Sequence, residues 1–244
     1  MQNYTRRQLK EDKFAATAQG AVHWASDHRK NVIFGVSAVL FITLAVIGYF
    51  VWNNRQTDRA NVALGKADRT LVAPLRSSSV PPAPNETSFS SFAERGKQAE
   101  KEFKAVADEF PYTKPGKLAR YMEGTAAMQA GDTAAAEKAL KAAADSGNKD
   151  VSALAKLALA SLYISSNRQE EAAKVYKDLM DHPSPDVSKA LAQLKLAEMY
   201  EATDPKQANA LYQQIAKESP PDTAEAQIAR SEVAVAGPGN GVQK

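Results

Sequence analysis

The hydrophobic positions of residues 93–236 follow a helical pattern that recurs about every 36 residues. A small residue is followed four positions later by a large one, and three positions after that by a third apolar residue. Because positions i, i+4 and i+7 share one face of an α-helix, each copy predicts an amphipathic helix. Repetition at this period predicts a helical solenoid. The three sets are Ala99, Ala136, Ala172 and Ala208; Phe103, Leu140, Tyr176 and Tyr212; and Val106, Ala143, Leu179 and Ile215.

Further apolar-periodic stretches predict a partner helix for each repeat. Residues 118–130, 151–165 and 187–202 serve three of the repeats, and none of these stretches contains a proline, which would remove a backbone hydrogen bond inside a helix. Residues 53–75 and 92–110 would form the first repeat, and residues 222–236 would cap the last one. The turns within repeats read Gly131-Asp132, Asn167-Arg168 and Thr203-Asp204-Pro205.

Residues 32–52, from Val32 to Trp52, form an apolar segment of a different kind. All 21 residues are uncharged and 13 of them are Val, Ile, Leu or Phe. A helix of this length spans roughly 31 Å, which is enough for the hydrocarbon core of a membrane. A core helix of a soluble protein rarely runs this long without a charge, and Asn53-Asn54-Arg55-Gln56 offers no small-residue cleavage site. The segment is therefore predicted to be an uncleaved transmembrane signal anchor.

The charges fall unevenly around this segment. The chain has 31 basic and 28 acidic residues, a net charge of +3, and residues 1–31 carry the whole excess. The remainder of the chain is neutral, which gives no electrostatic case for nucleic-acid binding. The basic tail favours an N-terminus in the cytoplasm and a C-terminal domain outside, although the charges flanking the segment are nearly even. Residues 6–30 have an amphipathic pattern that fits either a surface-lying helix or a solvated tail.

The sequence contains no pattern that predicts catalysis or a cofactor. The absence of cysteine excludes disulfides, thiolate zinc sites and a cysteine nucleophile. The three histidines, His23, His28 and His182, have no ligand spacing, and no phosphate-binding glycine loop is present. Carboxylate pairs lie beside lysines, as expected for solvated helix faces. We therefore expect no enzyme, no metal, no cofactor and no small-molecule substrate, and interpret the protein as one that binds other proteins.

Residues 93–236 resemble the tetratricopeptide repeat family. Gly124, Ala160 and Ala197 match the small position of the family's first helix, and Ala136, Ala172 and Ala208 match that of the second. Tyr163 and Tyr200 match the aromatic position and Pro111 and Pro220 the closing proline, whereas Ala127 departs from the aromatic and the family's tryptophan is missing throughout. The resemblance implies an all-α fold. We expect one transmembrane helix followed by a right-handed solenoid of about four helix pairs and a capping helix.

In that family the first helices line a concave binding face, and the resemblance assigns positions to it here. The set is apolar and neutral at one end and acidic at the other, which suits an extended polypeptide or a partner's helix. Each position has an alternative interpretation as core between helices. The set contains no lysine or asparagine, and a clamp that binds the C-termini of chaperones needs both. The expected concave face comprises Tyr121, Thr125, Met128, Gln129, Leu157, Ser161, Ile164, Ser165, Leu194, Glu198 and Glu201.

The whole layout resembles the ancillary SecYEG translocon subunit family of YfgM type. That resemblance implies a bacterial inner-membrane protein with a periplasmic repeat domain, whose partners are translocon subunits and periplasmic chaperones. A structural subunit of another inner-membrane complex would share the layout, and the residues do not separate the two. The Ser/Pro-rich residues 76–91 are predicted to be a flexible insertion that is either a loop or a bound motif. Residues 237–244 are predicted to be a disordered tail.

Overall fold

A computed structural model describes residues 28–77 and 87–235 of the chain, and these form nine α-helices. The chain divides into two compact units, Met1–Arg55 and Gln56–Lys244. The only strand-like pairing in the described residues is a single bridge between Leu75 and Phe89. The helices are α1 (Arg29–Leu71), α2 (Phe92–Glu109), α3 (Lys114–Ala130), α4 (Thr133–Ala144), α5 (Lys149–Ser165), α6 (Gln169–Asp181), α7 (Lys189–Tyr200), α8 (Pro205–Glu218) and α9 (Ala224–Val235).

Helix α1 contains the apolar segment predicted to be a membrane anchor. The most apolar 18-residue window of this helix has a mean hydropathy of 2.4, and none of that window is buried. Large apolar side chains such as Phe34 and Phe41 are about three-quarters exposed, at 77% and 74%. By length and composition, α1 is therefore a candidate membrane span.

The helix predicted over residues 53–75 is continuous with the apolar segment but ends at Leu71. Pro74 accounts for the earlier end, because a proline disfavours helical backbone in the residue before it. The chain after the helix is held in place, since Arg95 Nη1 donates a hydrogen bond to the Ala73 carbonyl at 2.9 Å. The backbone N–H of Arg76 also donates to Phe89 O at 2.8 Å. Most of the insertion, residues 78–86, lies outside the described residues, as do most of the tail helix expected over residues 6–30 and all of residues 237–244.

In the second unit, the periodic positions form the core. All twelve members of the three sets are at most 5% exposed, which confirms the predicted helix faces. Consecutive helices from α2 to α9 pack against one another, and the first helices α3 and α5 also touch directly. The small positions of the first helices are buried as well, with Ala160 and Ala197 at 0% exposure. The fold is an all-helical stack of paired helices.

Side-chain caps decide where the helices begin. The Thr113 hydroxyl accepts a hydrogen bond from Gly116 N at 3.1 Å, so α3 starts at Lys114, four residues before the predicted start. The Ser188 hydroxyl accepts from Leu191 N at 3.0 Å in the same way and starts α7 at Lys189. Pro205, predicted to lie in a turn, begins α8, and Pro115 lies in α3, which starts earlier than predicted. Both helices contain a proline in the first turn, where the missing N–H has no helical partner to lose.

Two glycines allow neighbouring helices to approach closely. A Cβ built on Gly96 in α2 would lie 2.6 Å from the backbone nitrogen of Ala130 and 2.8 Å from the carbonyl oxygen of Ala126. A Cβ on Gly124 in α3 would lie 2.6 Å from Cγ of Leu140. The packing of α2 on α3, and of α3 on α4, therefore uses the absence of a side chain at these two points.

Candidate functional site

The expected concave face begins on α3, where the structure places four of its residues half-buried. Tyr121 and Met128 pack against the central core cluster, and burial raises the pKa of the Tyr121 hydroxyl. Thr125 donates its hydroxyl to the Met122 carbonyl at 2.9 Å. The Gln129 side chain has a buried Oε1 atom with no hydrogen-bond partner within the described residues. This part of the face is therefore apolar, with one amide oxygen that lacks a donor.

Helix α5 contributes two apolar and two hydroxyl side chains. Leu157 and Ile164 are half-buried and pack against the same central cluster as Tyr121. Ser161 and Ser165 are exposed, and each hydroxyl donates to a carbonyl of its own helix, at 3.2 Å and 2.9 Å. The central cluster therefore brings the apolar residues of α3 and α5 together, and the serines add a neutral polar surface.

The residues expected on α7 divide into two groups. Leu194 is 3% exposed and belongs to the C-terminal core cluster, which agrees with the alternative interpretation of this position as core between helices. Its side chain packs with those of Ala208 and Tyr212 in the next helix, which leaves no surface for a ligand. Glu198 and Glu201 are exposed, and Glu198 pairs with Lys195 at 2.7 Å. The accessible part of α7 is therefore acidic.

Two buried tyrosines, Tyr176 and Tyr212, lie next to this surface, although the periodic pattern predicts only a core role for them. The Tyr212 hydroxyl donates to Glu201 Oε1 at 2.5 Å. Burial raises the pKa of Tyr212 strongly, and the hydrogen bond to Glu201 and the charges of Glu232 and Glu198 add to the effect. A buried tyrosine hydroxyl needs a polar partner. The change from Phe103 and Leu140 to tyrosine in the later repeats was the available sequence signal.

Tyr176 on α6 interacts with residues of both the α5 and the α7 parts of the face. Burial raises the pKa of this tyrosine, the nearby Ser161 hydroxyl lowers it, and the charge of Glu198 raises it. Ser161 on α5 and Glu198 on α7 thus both act on one hydroxyl group. Of the two acidic residues, Glu201 accepts the hydrogen bond of the core residue Tyr212, whereas Glu198 pairs with Lys195 on its own helix.

A separate polar cluster fixes the turn between α5 and α6. The Arg168 guanidinium lies 4.2 Å from the centre of the Tyr163 ring and forms ion pairs with Glu137 at 2.6 Å and Glu171 at 2.5 Å. Hydrogen bonds from Arg168 and then Lys141 lower the pKa of Glu137 to about 2. Glu137 is therefore ionised at neutral pH and fully engaged in binding cations. This cluster joins α4, α5 and α6 and has no free group for acid–base chemistry.

Within residues 28–77 and 87–235, no group of three or more His, Cys, Asp or Glu side chains could hold a metal ion. The arrangement that remains is a set of paired helices with an apolar and hydroxyl-rich surface at one end and an acidic one at the other. A stack of paired helices with such a surface is typical of domains that bind other proteins. The fold and surface define a helical-repeat protein-interaction domain.

Comparison with known families agrees with this class. Residues 22–184 match the family model described as a tetratricopeptide repeat-like domain, which is more than half of the 244-residue chain. The chain belongs to the tetratricopeptide repeat-like domain family. The match covers the apolar segment and helices α2 to α6, and it ends before α7. No curated protein and no solved structure gives a significant match.

Proposed function

We propose that the protein is a membrane-anchored scaffold whose repeat domain binds other proteins. The observation that carries the anchor is that none of the apolar window of α1 is buried, although its mean hydropathy is 2.4. In water, exposed apolar area costs about 25 cal/mol per Å², so a helix with this many bare Val, Ile, Leu and Phe side chains needs an apolar environment. A bilayer provides one, because residues 32–52 match its thickness.

The proposed orientation places the N-terminus in the cytoplasm and the repeat domain in the periplasm of a bacterial inner membrane. The basic tail of residues 1–31 supports it through the bias of Lys and Arg toward the cytoplasmic side. The chain has no cysteine, so single cysteines can be introduced as reporters at will. We expect a membrane-impermeant maleimide to label Ala134→Cys in intact spheroplasts and to label Gln8→Cys only after lysis. The reverse pattern would overturn the orientation, and release of the chain by carbonate washing would overturn the anchor.

The proposed binding surface comprises the accessible residues of the concave set. These are Tyr121, Thr125, Met128, Gln129, Leu157, Ser161, Ile164, Ser165, Glu198 and Glu201. Half-buried apolar side chains beside exposed hydroxyls and carboxylates suit an extended or partly unfolded polypeptide, or a helix of a chaperone.

We further propose that the scaffold is an ancillary subunit at the Sec translocon, where it links translocon subunits to periplasmic chaperones. The layout of anchor and repeats supports this, and it supports equally a structural subunit of another inner-membrane complex. Crosslinking in native membranes, followed by purification through a C-terminal tag, distinguishes the two. Translocon subunits together with exported chaperones would support the first proposal. A different complex at fixed stoichiometry would replace it with the second and leave the interaction function standing.

A further inference from the structure

Helix α1 carries a basic stripe on the part that lies in the second unit. The stripe consists of Arg59, Val62, Lys66 and Arg69, whose spacing of three, four and three residues places them on one helix face. All four side chains are exposed, and Val62 is 78% exposed. At about 1.5 Å per residue the stripe is roughly 15 Å long. This face of α1 is not covered by another described helix.

The cations of the stripe have not been neutralised by the fold. None of the ion pairs formed among the described residues involves Arg59, Lys66 or Arg69. By contrast Arg120 and Arg168, which pack between helices of the repeats, each pair with two carboxylates. Beside the stripe, Asp58 shares this face and Glu109 lines the adjacent groove, and both carboxylates are exposed. Three cations against two carboxylates leave the surface with a net positive charge.

An apolar groove runs beside the stripe. It has a volume of about 590 Å³ and is lined by Asp58, Arg59, Val62, Ala63, Lys66, Glu109 and Phe110. Phe110 at the end of α2 is 5% exposed and forms part of the groove wall together with Ala63. A Cβ on Gly65 would meet no atom within 4 Å, so a neighbour can approach the helix closely there. The surface therefore combines an apolar strip with a row of unpaired cations.

We propose that this stripe and groove bind an acidic amphipathic helix of a partner protein. Apolar side chains of that helix would pack over Val62, Ala63 and Phe110, and its carboxylates would pair with Arg59, Lys66 and Arg69. A second copy of this chain is a poor occupant, because two such stripes would bring like charges together. The site is separate from the concave face and involves no residue of that face.

The test uses the full chain in nanodiscs of zwitterionic lipid and a labelled three-heptad peptide as the probe. The peptide has leucine at the a and d positions and glutamate at the flanking positions, and a matched peptide has lysine in place of glutamate. Fluorescence anisotropy measures binding, with empty nanodiscs as a background. We expect the acidic peptide to bind, its affinity to fall with rising salt, and the basic peptide to bind at least tenfold more weakly.

Two charge-reversal variants locate the site. The test variant carries Arg59→Glu, Lys66→Glu and Arg69→Glu, and the control variant carries Lys138→Glu, Lys174→Glu and Lys206→Glu, which are equally exposed and change the net charge by the same amount. We expect the test variant to bind the acidic peptide at least tenfold more weakly and the control to bind it normally. Circular dichroism checks that both variants fold.

Three results would overturn the proposal. Equal losses in both variants would show general attraction to a basic domain. Undiminished binding in the test variant would show that the peptide binds elsewhere. Absence of peptide binding, together with tighter association of the wild-type chain than of the test variant with vesicles containing phosphatidylglycerol, would assign the stripe to anionic lipid.

Discussion

Replacing Gly96 by alanine tests the packing of the first helix pair. The added Cβ would lie 2.6 Å from Ala130 N, 2.8 Å from Ala126 O and 2.9 Å from Gln129 C. All three are backbone atoms, so no rotation of a side chain relieves the overlap. Ordinary carbon contacts lie at about 3.5–4.0 Å, so α2 and α3 would have to separate by roughly 1 Å.

The magnitude follows from two opposing effects. A gap of about 1 Å removes a quarter to a half of the dispersion energy of the facing atoms, and overpacking costs about 1–3 kcal/mol in measured cases. Alanine inside a helix is favoured over glycine by about 1 kcal/mol, which offsets part of this cost. Because Phe103 and Ala126 are fully buried at the same interface, the cost falls in the upper part of the range. We expect a net destabilisation of roughly 2 kcal/mol.

The assay is denaturant unfolding of the full chain in detergent, followed by far-UV circular dichroism. Gly65→Ala in α1 is the matched control, because a Cβ there meets nothing within 4 Å. The control should raise the free energy of unfolding by about 0.5–1 kcal/mol, since only the helix preference changes. If Gly96→Ala also stabilised the protein, α2 and α3 would not pack as closely as the structure shows.

Three further substitutions have definite expected results. Gln193→Leu should stabilise the protein by about 1 kcal/mol in the same assay, because this glutamine is 2% exposed and its Nε2 has no described hydrogen-bond partner; a loss of stability would show that the amide is satisfied. Leu140→Ala should cost about 2–5 kcal/mol, because the leucine is fully buried at the centre of the repeats, and a smaller cost would contradict that placement. Glu137 has a folded pKa of about 2 against 4.5 unfolded, so its contribution is present above pH 4.5 and is lost as the pH falls toward 2. After a discount for partial exposure, the ionised Glu137 side chain contributes roughly 1 kcal/mol to the free energy of unfolding. Unfolding measured between pH 4.5 and 2 should therefore be less sensitive to acid in Glu137→Gln than in the wild type. An unchanged pH profile would contradict the ion-pair geometry.

Much of the fold could be predicted because the information is local. The periodic alanines and their large partners four residues later report directly which face of each helix is buried. Positions such as Phe103 and Tyr176 are buried as predicted because equivalent helix faces pack against each other in every repeat. Helix ends were less predictable, since Thr113 and Ser188 start their helices through caps that compete with the apolar pattern.

The binding surface was harder to predict, because burial there depends on neighbouring repeats. The family pattern placed Leu194 on the concave face, but the packing of α8 and α9 against α7 covers it. The cluster around Arg168 was missed because Glu137 lies 31 residues away in sequence. The roles of Tyr176 and Tyr212 depend on the position of each hydroxyl group relative to the adjacent first helices. A periodic sequence pattern carries no information about that position.

Site-specific photo-crosslinking in native membranes tests the central claim most directly. Benzoylphenylalanine would be introduced at Ser161 and Ser165 on the concave set, and at Lys138 and Ala142 on the exposed face of α4. All four side chains are exposed, so the comparison holds accessibility equal. We expect protein adducts from the two serine positions and none from the α4 positions. Adducts confined to α4, or none at any of the four positions, would contradict the central claim.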